Sequence, residues 1–445
     1  MKNIQKTSLT KFILTIFLCY SVNTLNAQLP YSSPEKQGFS SERLEKITEL
    51  SKNYIIENRL PNIINMVSRN GKIVYFKNFG YKGIEDKSTI KKNDLFRIYS
   101  MTKPITAVAA MQLYEQGKFK LKDKVSKYIP ELKNLKVLNE NGVIVDVKNE
   151  MTMQQLFTHT AGFSYGFNNN DVIDKLYIEA KLWNSKNSDE FISKVSKLPL
   201  KNEPGKVYHY SIAVDITGVI VERLSGLTLD EYFKKNIFEP LGMNDTFFEV
   251  PKSKRNRFIP NNFYNYKKGN PETITSEYWK NRWSYDTNEE SRVYDDYFNV
   301  KLYSGGGGLV STAMDFMIFA ECIRNGGIFN KKRILSPKTI NYMIKNHLNS
   351  SLVNEANTGE NLNSNNTNGF GFGLGFGLIT NTQESAIIGS EGEYFWGGAA
   401  GTVFWIDPVE EIIVVSMIQL MDSPWSLRED LKIATYQALI ESYEN

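Results

Sequence analysis

Two pairs of β-prone runs near opposite ends of the chain constrain the fold more than any other feature. Residues 62–79 hold the first pair, and the dipeptide Asn70-Gly71 between its runs is the strongest short hairpin signal because both positions tolerate a positive φ. Residues 401–419 hold the second pair around a turn at Asp407-Pro408. With helical segments between the pairs, the sequence predicts an α/β fold of the α+β type, in which both termini build one antiparallel sheet flanked by helices.

A mostly helical region is inserted between these pairs and begins near Ser100. Residues 105–115 are apolar on nearly every face, which is typical of a buried helix, and Gly117 marks its end. An asparagine-rich run at 354–368 predicts a mobile loop. Apolar periodicity predicts further helices over 152–158, 188–196, 212–224, 229–236 and 315–325.

We predict a single domain over residues 28–445 that is divided into two parts. The sheet-containing part takes residues 28–99 and 305–445, and the mostly helical part takes residues 100–304. Within the helical part, residues 251–300 are polar and aromatic without a regular pattern. Long segments of this kind are usually functional or disordered, and we expect this one to contribute to a substrate pocket.

The first 27 residues have the pattern of a secretory signal peptide. A lead with three lysines precedes the apolar core 12–22, and Leu25-Asn26-Ala27 forms a cleavage site before Gln28. The sequence therefore predicts an exported protein, either periplasmic or secreted. The apolar core is too short to span a bilayer, so no stable membrane anchor is expected once the signal is removed. The alternative is an uncleaved N-terminal anchor.

Charge and cysteine content exclude several classes of partner. Removal of the segment 1–27 leaves 50 basic against 49 acidic residues, and this balance gives no reason to expect binding to nucleic acid. Cys322 is then the only cysteine, which excludes an internal disulfide. The three histidines show no metal-ligand spacing. We therefore predict no metal and no cofactor.

The tetrapeptide Ser100-Met101-Thr102-Lys103 has the pattern of a serine nucleophile with its base. Residues three apart on a helix face each other across one turn, so the amine of Lys103 can take the hydroxyl proton of Ser100 and activate it for acyl transfer. The spacing alone is a weak signal. It recurs at Ser8/Lys11, Ser33/Lys36 and Ser88/Lys91.

Pro104 distinguishes Ser100 from the serines of those three other pairs. Proline fits only the first turn of a helix, so Ser100 is predicted to lie at or near the N-terminus of the buried helix. Its N–H is then unsatisfied and lies at the positive end of the helix dipole, where a developing oxyanion is stabilised.

Two further groups can complete such a site. Tyr210, before the helix at 212–224, can relay a proton if it lies near Lys103; the alternative is a packed aromatic side chain, as for Tyr208. In Trp396-Gly397-Gly398-Ala399, the glycines allow close approach of the backbone at the head of an edge strand. The N–H of Ala399 can then form an oxyanion hole with that of Ser100, and the alternative is a glycine bulge that only turns the strand.

Four segments of the chain resemble the serine β-lactamase and penicillin-binding superfamily in order and spacing. They are residues 96–106, 156–162, 304–312 and 396–408. The resemblance is strongest to the class C-type branch that includes the family VIII carboxylesterases. It covers nearly all of residues 34–440 apart from the two irregular segments, and it implies a β-lactamase/transpeptidase-like fold.

The resemblance implies a role for each matching residue. Ser100 is expected to be the nucleophile, Lys103 its activating partner, and Tyr210 a second general base or proton relay. The backbone N–H groups of Ser100 and Ala399 are expected to form the oxyanion hole. The substrate-binding positions are expected at Trp396, Gly397 and Gly398.

Two positions depart from the family pattern, and a third matches it. Ile212 stands where the second motif often has an asparagine, and Trp396 stands where lactamases and transpeptidases have a Lys or His that holds a substrate carboxylate. Tryptophan provides no such charge-assisted contact. His159 matches a structural position and is expected to be a satisfied polar group. Both departures resemble the esterase-like members.

The sequence therefore predicts a serine hydrolase that forms an acyl-serine intermediate on a small-molecule ester or peptide. Ester hydrolysis of small acyl groups is the favoured activity. A D-aminopeptidase, or a peptidase or β-lactamase directed at peptidoglycan and its analogues, is the alternative among enzymes. A non-catalytic protein that binds cell-wall peptides is the alternative of another class.

Overall fold

A seven-stranded antiparallel sheet is the frame of the molecule, whose computed structural model describes residues 28–275, 278, 296–348 and 369–444. The strands are β1 (Asn62–Arg69), β2 (Lys72–Gly80), β3 (Phe370–Phe372), β4 (Gly377–Ile379), β5 (Tyr394–Gly397), β6 (Val403–Asp407) and β7 (Ile412–Met417). They lie in the order β3-β4-β5-β6-β7-β1-β2. Since β1 pairs with β7 in an antiparallel register, the predicted single sheet from both termini is confirmed.

Both predicted hairpins are present, and their turns have the local chemistry that the sequence suggested. Asn70 and Gly71 take positive φ values of 52° and 69° between β1 and β2, as a tight hairpin requires. Between β6 and β7, the carboxylate of Asp407 accepts hydrogen bonds from the N–H groups of Val409 and Glu410, each 3.0 Å long. This bond pattern is that of an aspartate that fixes its own turn.

Helices cover both faces of the sheet. They are α1 (Ser41–Ile56), α2 (Thr102–Glu115), α3 (Met153–Phe157), α4 (Val172–Glu179), α5 (Ser188–Val195), α6 (Ala213–Ser225), α7 (Leu229–Phe233), α8 (Glu239–Leu241), α9 (Ala313–Arg324), α10 (Pro337–Met343), α11 (Thr382–Ser385) and α12 (Leu427–Tyr436). All predicted helices are thus observed, with ends shifted by up to three residues.

Short strand pairs outside the sheet join Phe96–Arg97 to Val310–Ser311, Lys136–Leu138 to Ile144–Asp146, Asn262–Asn265 to Asn270–Thr273, and Ile328–Phe329 to Lys332–Arg333.

The two faces of the sheet bury different cores. Helices α1 and α12 pack on one face, where Leu44, Trp405 and Leu431 are buried together. The opposite face carries the larger core, which contains α2 and α9. Helix α2 is buried from Thr102 to Leu113, as its uniformly apolar sequence predicted. In β5, Trp396 belongs to this larger core.

One part of the predicted irregular segment 251–300 is regular. A 3₁₀ helix spans Lys252–Arg257, and a hairpin joins Asn262–Asn265 to Asn270–Thr273 through a turn in which Gly269 has a φ of 69°. The strands escaped prediction because their sequences, NFYN and NPET, are rich in residues that are uncommon in strands. Trp279 and Trp283 of this segment lie outside the described residues.

Two other predictions, the signal peptide 1–27 and the loop 354–368, also fall outside the described residues. Within the described ranges, no helix has the length and apolar character needed to cross a membrane. The same ranges contain no group of three or more His, Cys, Asp or Glu side chains that could hold a metal ion.

Candidate active site

Ser100 lies where the chain turns from a short strand into the buried helix α2. A 3₁₀ turn spans Tyr99–Met101, α2 begins at Thr102, and Pro104 therefore occupies the first helical turn. Tyr99 has a φ of 42°, an uncommon conformation for a residue with a side chain and one that often occurs at functional sites. The predicted position of Ser100 at the helix N-terminus matches this geometry.

The structure brings the three predicted side chains of the reacting group together. The Tyr210 hydroxyl donates to Ser100 Oγ over 2.7 Å, and Lys103 Nζ donates to the same oxygen over 3.2 Å. Ser100 Oγ therefore has two groups within reach that can accept or return its proton, which is the arrangement needed for an activated nucleophile.

Lys103 is held in a dry environment between aromatic rings. Its side chain is only 1% exposed, and its Nζ atom lies 5.1 Å from the ring centre of Tyr165 and 4.5 Å from that of Tyr210. Nζ also donates to the carbonyl oxygen of Gly306 over 2.7 Å. Burial lowers the pKa of Lys103 to about 7, and the negative charge of Asp215 opposes that shift. An amine with this pKa is partly neutral at neutral pH and can act as a base.

Asp215 on α6 is a buried carboxylate that sequence reasoning missed. Its Oδ1 accepts hydrogen bonds from Ser304 Oγ (2.5 Å) and from the N–H of Gly306 (2.9 Å), and its Oδ2 accepts from the hydroxyl of Tyr165 (3.1 Å). Burial raises the pKa of Asp215, while Lys103 and these hydrogen bonds lower it. Asp215 thus anchors the turn that carries the carbonyl acceptor of Lys103.

A signal for Asp215 was present in the sequence. It is the only charged residue in the otherwise apolar stretch 212–221 that follows Tyr210. A charge on a buried helix face is rare unless it is paired. The sequence held no comparable signal for Gly306, whose role is visible only in the structure: a Cβ there would lie 2.2 Å from Asp215 Oδ2 and 2.6 Å from the Tyr165 hydroxyl.

His159 supports the segment that carries Tyr210. Its ring lies 4.7 Å from that of Tyr210, its carbonyl oxygen accepts from the N–H of His209 (2.8 Å), and its Nδ1 accepts from the N–H of Ser211 (3.2 Å). Burial holds the pKa of His159 well below its usual range, so the ring is neutral with its proton on Nε2. The expectation of a satisfied polar group holds for Nδ1 alone, because the buried Nε2 has no partner among the described residues.

The glycine motif lies in a hairpin, not at the head of an edge strand. Trp396 and Gly397 end β5, and a turn closed by the Gly398 N–H on the Thr402 carbonyl (2.7 Å) leads into β6. A Cβ on Gly398 would lie 2.5 Å from the carbonyl oxygen of Ile98. The absence of a side chain at this position therefore lets the turn approach the segment before Ser100.

The predicted oxyanion-hole donors face a common cavity. Ser100, Gly398 and Ala399 all line it. Within the described ranges, neither the N–H of Ser100 nor that of Ala399 donates to another backbone group. Two free N–H groups at one cavity wall are the structural requirement for an oxyanion hole; their role in stabilising an oxyanion stays a prediction.

The cavity has a volume of about 610 Å³, and its walls contain both polar and apolar side chains. Its aromatic lining residues in the described part are Tyr99, Tyr165, Phe167, Trp183, Tyr210, Phe370, Phe395, Phe404, Trp405 and Trp425. Trp396 is not among the lining residues. It is 3% exposed and packs behind Tyr210, with ring centres 5.5 Å apart. Of the segment 251–300, no described residue lines the cavity.

Comparison with known proteins agrees with this geometry. The family model described as Beta-lactamase matches residues 45–438. An uncharacterized protein of Mycobacterium tuberculosis is 29% identical over 373 residues, which cover 81% of this chain and 86% of the relative. A Salmonella typhimurium protein named as a candidate D-alanyl-D-alanine carboxypeptidase is 26% identical over 350 residues, which cover 74% of this chain and 76% of the relative.

Solved structures share the fold over nearly the whole chain. One of them is EstCE1, described as a hydrolase with promiscuous acyltransferase activity. It superimposes with a TM-score of 0.72 at 24% identity, over 90% of this chain and 99% of that one.

Proposed function

Because the chain belongs to the β-lactamase family and is a serine hydrolase, we propose that it hydrolyses small acyl esters through an acyl-serine intermediate. In the proposed mechanism, Ser100 Oγ attacks the ester carbonyl carbon and its proton passes to Lys103 or Tyr210. The N–H groups of Ser100 and Ala399 bind the oxyanion. The same proton leaves with the alcohol, and water then attacks the acyl-serine by the reverse path.

The observation that carries the preference for esters is the position of Trp396. Its indole occupies the motif position where a cation would hold a substrate carboxylate, and it is buried against the rings of Tyr210 and Phe372. Ile212 stands where the second motif often has an asparagine, and it is fully buried as well. Because isoleucine has no side-chain amide, this position offers the substrate no polar contact. An ester needs neither contact, because its recognition can rest on the aromatic cavity walls.

The structural neighbour EstCE1 supports the preference for esters through the type of reaction named in its description. It is described as a hydrolase that also transfers acyl groups, and both reactions proceed from an activated acyl group. In the described part of this chain, a serine with two proton-transfer groups in reach lies beside an aromatic cavity, an arrangement that suits such chemistry.

Hydrolysis of D-amino-acid peptides is the second candidate. It is favoured by the Salmonella typhimurium relative, whose name refers to D-alanyl-D-alanine. A substrate panel separates the two: 4-nitrophenyl acetate and butyrate, nitrocefin, and a peptide that ends in D-alanyl-D-alanine. We expect kcat/KM for the short aryl esters to exceed that for the other two substrates by at least about 100-fold. Faster turnover of the peptide or of nitrocefin would overturn the ester assignment.

We propose export as the location of this activity. The support is the sequence pattern of residues 1–27. Expression of the full chain in a bacterial host, followed by fractionation and N-terminal sequencing, tests it. The expected result is an exported protein that begins at Gln28; a cytoplasmic protein that retains residue 2 would contradict export.

A further inference from the structure

A segment outside the cavity runs alongside the part of the chain that leads to Ser100. The N–H of Leu95 donates to the carbonyl oxygen of Arg257 (2.8 Å), and its carbonyl oxygen accepts from the N–H of Ile259 (3.2 Å). Two residues further on, Arg97 Nη1 donates to the carbonyl oxygen of Ile259 over 2.8 Å. The two chains therefore lie side by side and run in the same direction.

The next contact in this series holds the side chain of Tyr99, the residue before Ser100. Asn261 Nδ2 donates to the hydroxyl oxygen of Tyr99 over 2.5 Å, and both side chains are buried. Asn261 Oδ1 accepts from the N–H of Asn262 over 3.1 Å, which fixes the orientation of the amide. The contacts fall on alternate residues of both chains, as is typical of extended backbone.

The same segment also supports the chain next to the glycine turn. The carbonyl oxygen of Asn262 accepts from the N–H of Met421 over 2.7 Å, and the N–H of Leu420 donates to the carbonyl oxygen of Ala400 over 2.9 Å. We call residues 257–262 the supporting segment, because hydrogen bonds join it to the chain before the nucleophile and to the chain that holds the end of the glycine turn.

Tyr99 connects the two predicted donors of the oxyanion hole. Because the peptide unit is planar, the backbone dihedrals of Tyr99 set the direction of the next N–H, which is that of Ser100. The ring of Tyr99 packs in one buried cluster with Ala400 and Met421, and Ala400 directly follows Ala399. A shift of the Tyr99 side chain would therefore change the distance and angle between the two N–H groups.

The backbone of Tyr99 requires such support. Its φ of 42° is a left-handed conformation that is disfavoured for an aromatic residue. Residues keep a conformation of this kind only where their surroundings determine it, and they cluster at functional sites. The hydrogen bond from Asn261 and the packing against Ala400 are contacts that hold the ring, and with it the backbone, in place.

We propose that Asn261 and Tyr99 are positioning residues of the oxyanion hole. The segment 251–300 then contributes to the reaction through the supporting segment, although none of its described residues lines the cavity. The proposal rests on the proposed function and deepens it. The carbonyl oxygen of an ester becomes negative in the transition state, so misplaced N–H donors should lower kcat more than they raise KM.

A double-mutant cycle with Tyr99→Phe and Asn261→Leu tests this pair. Each change removes one partner of the hydrogen bond and keeps the approximate shape of the side chain. We expect each single variant to lower kcat for 4-nitrophenyl acetate by about tenfold or more and to change KM by less than about threefold. The double variant should be no slower than the slower single variant, because the same bond is lost only once. Losses that multiply would show independent effects and overturn the proposal.

A sulfur analogue of the substrate separates positioning from a general structural role. O-(4-nitrophenyl) thionoacetate carries sulfur in place of the carbonyl oxygen, and sulfur is a weak hydrogen-bond acceptor. The wild type should therefore prefer the oxygen ester in kcat/KM, and both single variants should reduce this preference by about tenfold. Variants that slow the two substrates to the same extent would assign Asn261 and Tyr99 a structural role only and overturn the proposal.

Tyr75→Phe is the matched control. The hydroxyl of Tyr75 is also held by one side chain, Thr48 Oγ1, over 2.9 Å, and the ring is buried but is not among the residues that line the cavity. This variant should keep the wild-type kcat and the wild-type preference for the oxygen ester. A loss as large as that in Tyr99→Phe would overturn the proposal. If Asn261→Leu does not fold, Tyr99→Phe and this control provide the comparison by themselves.

Labelling of Ser100 keeps the proposal testable if no ester is turned over. A fluorophosphonate that reacts with Ser100 forms a tetrahedral phosphorus centre, and its oxygen needs the same two N–H donors. The wild type and Tyr75→Phe should be labelled about tenfold faster than Tyr99→Phe. This difference without ester turnover would support the positioning role and reject the ester assignment alone. Equal labelling rates in the wild type and Tyr99→Phe would overturn the positioning role.

Discussion

The two sides of Ser100 are built in opposite ways. On one side, Lys103 is almost fully buried, donates to Gly306, and is influenced by the charge of the hydrogen-bonded carboxylate of Asp215. On the other side, the turn at Gly398 and the guanidinium of Arg428 border an open cavity of about 610 Å³. The first side resembles a protein core, because its buried polar groups are hydrogen-bonded, and the second resembles a binding surface.

The difference indicates that reaction and recognition are separated in this site. Proton transfer requires a fixed geometry and a tuned pKa, and a dry, hydrogen-bonded environment supplies both. Recognition requires free hydrogen-bond donors and space for a substrate, and the cavity side provides both. Substitutions on the Lys103 side, at Tyr99, or in the turn that carries the N–H of Ala399, should therefore impair all oxygen esters alike, whereas those of the other cavity residues should discriminate between substrates.

The largest effect is expected from Ser100→Ala, which removes the nucleophile. We expect kcat/KM for every ester to fall by about 10⁴-fold or more, as for other enzymes that lose a nucleophilic serine. Ser88→Ala is the matched control, because Ser88 has the same spacing to Lys91 but is exposed and bonded to Asp86. Steady-state hydrolysis of 4-nitrophenyl butyrate measures both, and equal rates in the two variants would remove Ser100 from the mechanism.

Tyr210→Phe tests the second proton-transfer group on the same side. Loss of the hydroxyl that donates to Ser100 Oγ should lower kcat by about 10²- to 10⁴-fold, the usual contribution of a general acid or base. Tyr208→Phe is the control from the same segment and should change kcat little. If the rates of both variants matched the wild type, Tyr210 would be a packing residue only.

Two neighbouring glycines on the cavity side should respond differently to the same added methyl group. In Gly398→Ala, the new Cβ meets the backbone oxygen of Ile98 at 2.5 Å, so the turn must move and the N–H of Ala399 moves with it. We expect a loss of about 10²-fold in kcat and about 1–3 kcal/mol in the free energy of unfolding.

In Gly397→Ala, the nearest atoms belong to the end of the flexible Arg428 side chain, so a smaller change in kcat and stability is expected. Chemical denaturation and ester hydrolysis measure both variants. A larger loss in Gly397→Ala than in Gly398→Ala would contradict the placement of the oxyanion hole at the turn.

The smallest expected effect is a shift of the pH profile. Neutral Lys103 is the basic form, so kcat/KM should rise with pH through an apparent pKa of about 7. Asp215 favours the charged amine, and Asp215→Asn should therefore move the inflection to lower pH. Asp146→Asn, at an exposed site, is the control. An inflection that stays in place, or moves to higher pH, would show that the charge of Asp215 does not raise the pKa of Lys103.

The sequence predicted the features that depend on local pattern. Asn70-Gly71 located a hairpin, the uniformly apolar stretch after Pro104 located the buried helix, and Ser100 and Lys103 followed from their spacing. The order of the motifs then led to Tyr210. In each case, the residues that mattered were neighbours in sequence or belonged to a motif with a known order.

The sequence did not predict contacts that only the tertiary structure creates. Asp215 is joined to Gly306 across 91 residues of sequence, and Arg428 meets the turn at Gly398 across 30. No local pattern links these positions. Trp396 was expected to bind substrate, but the face of β5 on which it lies is set by the register of the sheet, and its ring packs behind Tyr210.

Covalent labelling at Ser100 is the most direct test of the central claim that this chain is an acyl-serine hydrolase. The chain is incubated with a fluorophosphonate ester, digested, and analysed by peptide mass spectrometry. We predict one equivalent of label on the peptide that contains Ser100, retained in Ser88→Ala and absent in Ser100→Ala. Label on a different residue, or no label on a folded chain that hydrolyses esters, would contradict the account.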